Sequence, residues 1–168
     1  MKVSMIKKVT SREYMMKFFY CLDVLKEERT SLFEKAEEFM KDNEEFIINR
    51  FEELKLQNSE SADAHEESPA FEDCLDKVYI RDLCNEYEEN SEEIDAVINR
   101  YANNWSTDTM PKVDVAILRV AVAEITYMDA IPDKASVNEA VEMAKLYCDD
   151  KSPKFINGIL GSYLNDRK

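Results

Sequence analysis

The chain has 168 residues, of which 45% are hydrophobic, with two glycines, four prolines and a formal net charge of −14. That length and apolar content suit one domain with a real core, whereas two glycines cannot supply the tight turns of an all-β or doubly wound α/β fold. No apolar run reaches the roughly 18 residues of a membrane span, and MKVSMIKKV lacks the apolar stretch of a signal peptide, so a cytoplasmic, all-helical protein with no membrane association is expected.

The helical signals begin near the N-terminus. Thr10 with Glu13, Ser31 with Glu34, Asn90 with Glu93 and Ser136 with Glu139 each have the spacing of a capping box, and Ser152-Pro153 is a proline-led start. Apolar stripes at i, i+3, i+4 follow in order: Met15, Phe18, Phe19, Leu22; Phe33, Ala36, Met40; Ile47, Phe51, Leu54; Leu75, Val78, Tyr79; Ile94, Val97, Ile98, Tyr101. Three more come after Pro111: Val113, Ala116, Ile117, Val120; Val137, Ala140, Val141, Ala144; and Ile156, Ile159, Leu160, Tyr163. Each stripe gives a helix one buried face, and together they predict seven or eight helices in a single domain over residues 1–168. The polar, acidic stretch at about 57–70 has no period and is expected to be a mobile loop; His65, the sole histidine, lies in it.

Charge is unevenly spread along this plan. Residues 1–20 carry five basic side chains and one acid, residues 21–110 carry 9 and 26, and residues 111–168 carry 8 and 9. A locally basic surface survives on an acidic protein if the two ends meet in the fold. The four cysteines have no CxxC spacing and lie in or beside apolar stripes, which favours buried thiols over a zinc site.

No Walker loop, GxGxxG, HExxH or GxSxG is present, and a histidine in a polar loop does not serve a triad. No catalytic group, metal ligand or cofactor is therefore assigned. Arg119, Glu124 and Glu139 sit in otherwise apolar helices and are expected to form one partly buried ionic network.

Three blocks in the C-terminal third carry a family resemblance: Ile117-Leu118-Arg119 with Glu124; Ile131-Pro132 leading to Asn138-Glu139-Ala140 and Ala144-Lys145; and Lys154-Phe155-Ile156-Asn157-Gly158-Ile159-Leu160. In this order and spacing they resemble the NusB family of transcription antitermination factors, with weaker similarity at Tyr79–Leu83 and at Arg12, Glu13 and Tyr20. The resemblance implies a compact bundle of about seven helices in two packed subdomains. It also implies a non-enzymatic factor that binds boxA-type single-stranded RNA with the ribosomal protein NusE in the RNA polymerase antitermination complex. The family includes monomers and homodimers.

Single-stranded RNA needs cations on phosphates and planar side chains on bases. On that chemistry, Lys8, Arg12, Lys17 and Tyr20 in the first helix and Lys154, Phe155 and Asn157 in the last are the RNA-binding candidates, and the resemblance adds Asp114 as a partner-binding position. Asn157-Gly158 within a helix costs helix propensity, which points either to close packing or to a ligand contact. The family commonly opens with an arginine-rich run. Here Lys7-Lys8-Val9-Thr10-Ser11-Arg12 stands in its place, and lysine offers a point charge where arginine offers a planar fork. Weaker RNA binding by the isolated protein is expected, and the alternative is a NusB-fold interaction module with little RNA affinity of its own.

Overall fold

The computed structural model describes residues 2–58 and 67–168, so the loop expected at 57–70, with His65, lies largely outside the described residues. Seven α-helices and no strand occur among the described residues: α1 (Val3–Val24), α2 (Leu32–Asp42), α3 (Glu44–Gln57), α4 (Lys77–Tyr101), α5 (Lys112–Tyr127), α6 (Asp133–Tyr147) and α7 (Ser152–Arg167), with a short 3-10 turn, Phe71–Cys74, before α4.

The centre is α5, which is buried without a break from Asp114 to Ile125. A helix with one apolar face needs one neighbour; α5 is apolar nearly all round, and α1, α4, α6 and α7 surround it. Arg12 of α1 reaches Glu124 near the end of α5, while Asp23 of α1 meets Lys112 and Arg119 toward its start, so the two helices run antiparallel. Helices α2 and α3 complete the other half, α2 lying on α4 and α3 on α1 and the 3-10 turn. The stripe residues are buried or half-buried as expected, with Val78 the exception at 57% exposed. None of the described helices is long and apolar enough to cross a membrane.

The start signals need correction. Helix α1 begins at Val3, so Thr10 is mid-helix and its hydroxyl donates back to the Ile6 carbonyl at 2.8 Å. Asn90 has a non-helical backbone at the kink where two helical runs of α4 meet, so a second run does start there, but its side-chain amide donates back to the Glu86 carbonyl. Ser136 lies inside α6 and is buried. Ser31 does precede α2, but in a left-handed conformation and without a side-chain cap; the Leu32 N–H donates instead to Glu88 of α4. Such serine, threonine and asparagine side chains bond their surroundings as readily as an N-terminal amide, so spacing alone does not tell the two apart. The Ser152-Pro153 start stands.

Candidate nucleic-acid interface

Two ends of the α5 axis divide the candidate residues. At the end formed by the start of α5, the C-terminal half of α1 and the end of α6, helix α7 begins. Its N-terminus is held by the Ser152 hydroxyl, which donates to the buried Asp114 carboxylate at 2.8 Å. Burial, and then Asp114, push the neighbouring Cys148 thiol up to about 12. Asp114, almost wholly buried, thus holds the start of α7 and lines a hollow there. From this fixed start, α7 presents Lys154 and Asn157 to solvent and Phe155 half-buried.

The hollow of about 340 Å³ is walled by Phe155 and by Trp105, which is 50% exposed and meets the Phe155 ring edge-on at 6.4 Å, with Lys151 and Asp149 at the rim. The loop bearing Trp105 is ordered by its own bonds: the Trp105 N–H donates to the Ala102 carbonyl and the Ser106 N–H to the Thr109 hydroxyl. Trp105 was missed in the sequence because it follows the apolar stripe of α4 without continuing it. Its being the chain's one tryptophan was the available signal. A Cβ added at Gly158 would meet no atom within 4 Å, so close packing does not account for that glycine.

The α1 candidates do not join into one surface. Lys8 and Lys17 are nine residues apart, which places them on opposite sides of the helix, about 180° around it. Lys8 lies 4.0 Å from Asp76 and borders a hollow that also contains Asp82, Glu86 and Asp129, at the far end of α5. Four carboxylates there repel phosphate. Lys17 sits on the same side as the α6 end, with its ammonium over the Tyr14 ring at 4.4 Å and the Tyr147 ring at 4.9 Å. Burial lowers its pKa. Tyr20, one turn further along α1, is half-buried against the core edge.

Arg12 is a correction. Only 4% exposed, it holds Glu124 through a two-pronged contact, Nε to Oε2 at 2.8 Å and Nη2 to Oε1 at 3.0 Å. The Tyr79 hydroxyl donates to Glu124 Oε2 at 2.7 Å and the Ser136 hydroxyl to Oε1 at 2.9 Å, so one carboxylate ties α1, α4, α5 and α6. Burial works against the guanidinium's charge, but Tyr79 and Glu124 outweigh it and its pKa is raised. A cation committed in this way is not free to bind a phosphate.

The expected single ionic network is in fact several. Arg119 pairs with Asp95, Nε to Oδ1 at 2.9 Å, and with Asp23, and Arg29 joins at Asp95. Glu13 accepts from Arg50 at 2.8 and 2.9 Å and from the Tyr147 hydroxyl at 3.3 Å, linking α1, α3 and α6. Glu139 is half-buried near the Arg12 centre, with its pKa raised chiefly by burial.

A model of the NusB family matches residues 9–165, nearly the whole bundle. The chain belongs to the NusB family. A transcription antitermination protein NusB of Clostridium novyi is 38% identical over 122 residues, covering 71% of this chain and 87% of the relative. The NusB of Alkaliphilus oremlandii is 48% identical over 88 residues, 52% of this chain; that match spans 64% of the relative, just under two thirds of its length. Among solved structures, a complex of the antitermination factors NusB and NusE with double-stranded RNA superposes with a TM-score of 0.62 at 22% identity, covering 95% of this chain and 97% of that one. Thermotoga maritima NusB gives 0.59 at 26% identity, covering 94% and 90%. The NusB fold is thus shared over the matched residues.

Proposed function

We propose that the chain is a transcription antitermination factor that holds boxA-type RNA together with the ribosomal protein NusE, on the end of the bundle where α7 begins. It acts by binding, without catalysis and in the cytoplasm, within the RNA polymerase antitermination complex. The observation that carries this is the α7 start itself. Lys154 and Asn157 face solvent, Phe155 and Trp105 flank a hollow, and Gly158 leaves open space beside them. Cations meet phosphates there, aromatic rings meet bases, and a residue without a side chain lets a backbone approach closely. Lys17 and Tyr20 extend the same end, and Asp114 supports it from beneath. Membership of the NusB family and the likeness to a NusB bound to NusE and RNA support the partners.

One observation favours a dependence on NusE. Of the four α1 candidates, Arg12 is buried in an ion pair, Lys8 borders an acidic hollow and Lys17 lies on two tyrosine rings. Too few free cations remain on α1 for strong binding to RNA alone. The test is titration of fluorescent boxA RNA with this protein, alone and with NusE from the same organism, across a salt series. Sequence-specific binding that is weak alone and strengthened by NusE is expected. An absence of specific binding in both cases leaves the NusB-fold interaction module as the function.

A further inference from the structure

Away from the α7 end, α2, the 3-10 turn and the start of α4 enclose a groove of about 440 Å³ that the RNA-binding role does not use. Its walls are apolar: the half-buried Phe33 and Phe71, with the buried Met40, Leu75 and Ile80 below. Its rim carries four exposed carboxylates, Glu37, Glu38, Glu44 and Glu72, against Lys41 and Lys77. The excess extends beyond the rim. The segment 32–45 contains six acids and two lysines, and 67–77 contains four acids and one lysine.

We infer that this groove is a docking site for a basic amphipathic segment of a partner protein, with an aromatic or aliphatic anchor between Phe33 and Phe71 and cations on the four carboxylates. An apolar trough with charged margins is the receiving half of helix-in-groove recognition, where the trough supplies affinity and the margins select the partner's charge. The same margin decides against other occupants. Phosphates of RNA and anionic lipid headgroups are repelled by it. A second copy of a chain carrying −14 meets a net repulsion at this acidic margin. Placed here, the groove would let one molecule hold RNA at one end and a basic protein on a separate face.

The probe is a fluorescein-labelled, 16-residue synthetic amphipathic peptide, with Phe and Leu on one helical face and Lys and Arg on the other. Anisotropy is measured with the full-length protein at low and moderate salt. Saturable binding is expected, weakened about tenfold by the paired substitution Glu37→Lys and Glu38→Lys, and also by replacing the peptide's Phe and Leu with Ser. Both glutamates are exposed, so the fold should tolerate the change. The control pair Glu89→Lys and Glu93→Lys, on the side of α4 near Tyr127, should leave affinity within twofold. Amide shifts on binding should centre on Phe33, Phe71 and Leu75. An absence of binding, equal weakening by both charge reversals, or shifts mapping to the acidic hollow beside Lys8 would each overturn the inference. So would concentration-dependent dimerisation abolished by Phe33→Ser, which would assign the groove to a second copy.

Discussion

The two ends of α5 use the same residue types for opposite purposes. Around Arg12, a cation, a tyrosine and a carboxylate are closed off from water and saturated with one another. Around Lys154 a cation and two aromatic rings stand at the surface beside a hollow. Burial makes the difference. A charge taken from water must be paired on the spot and becomes part of the scaffold, while one left in water stays available to a ligand.

The largest expected effect tests the first half of that contrast. Arg12→Ala leaves Glu124 buried without its cation and should destabilise the fold by about 3–5 kcal/mol, read by urea denaturation. Arg12→Lys should recover only part of this, since an ammonium cannot reproduce the fork onto both Glu124 oxygens. If Arg12→Ala remained fully stable yet lost RNA binding, Arg12 would belong to the interface and the contrast would fail.

Next in size is the exposed half. Phe155→Ala should weaken RNA binding by NusE-loaded protein by about 1–3 kcal/mol, roughly fivefold to a hundredfold, in the range of a lost base-stacking contact. Trp105→Ala should act in the same direction. Lys154→Ala should flatten the salt dependence by about 0.7 in the logarithmic slope, one phosphate contact on a single strand. Lys8→Ala should change neither affinity nor slope. An effect of Lys8→Ala as large as that of Lys154→Ala would move the RNA to the other end of the bundle.

The sequence made some of this legible and hid the rest for physical reasons. Helical stripes such as Ile156, Ile159, Leu160 and Tyr163 describe burial directly, so the core followed from period alone. Partners of charged residues did not. Arg12 and Glu124 are 112 residues apart, and nothing in the local pattern of Arg12 separates it from a surface cation. The stripe through Met15, Phe18, Phe19 and Leu22 did identify α1 as a core helix, but the unbroken burial of Thr10 to Met16 comes from helices contributed by distant parts of the chain. The α7 start was legible because its proline-led beginning is local. Trp105 was not, because only the fold brings its loop to Phe155.

Gly158 offers a smaller and more pointed comparison. With open space where a Cβ would go, Gly158→Ala should stabilise α7 by about 0.5–1 kcal/mol, the ordinary difference in helix propensity. If a ligand backbone lies against that position, the same substitution should weaken RNA or NusE binding. A gain in stability with affinity unchanged would remove Gly158 from the interface.

The smallest expected effect concerns Glu139, which sits between the two regimes. Burial raises its pKa above the ordinary carboxylate value; Arg12 opposes the shift, and Glu124, Glu13 and Glu142 add to it. A carboxyl whose folded pKa exceeds its unfolded one is penalised when ionised, so at neutral pH it costs stability. That cost disappears as pH falls through the folded and then the unfolded value. Glu139→Gln should therefore stabilise the protein at pH 7 by about 0.5 kcal/mol, a modest figure because the side chain remains partly in water. The gain over the parent should shrink toward zero near pH 4, where both forms are largely uncharged at this position. Denaturation curves of the two proteins at both pH values give the comparison. A loss of stability at pH 7 would mean that the Arg12 attraction outweighs the burial, and would place Glu139 with Glu124 inside the closed ionic centre.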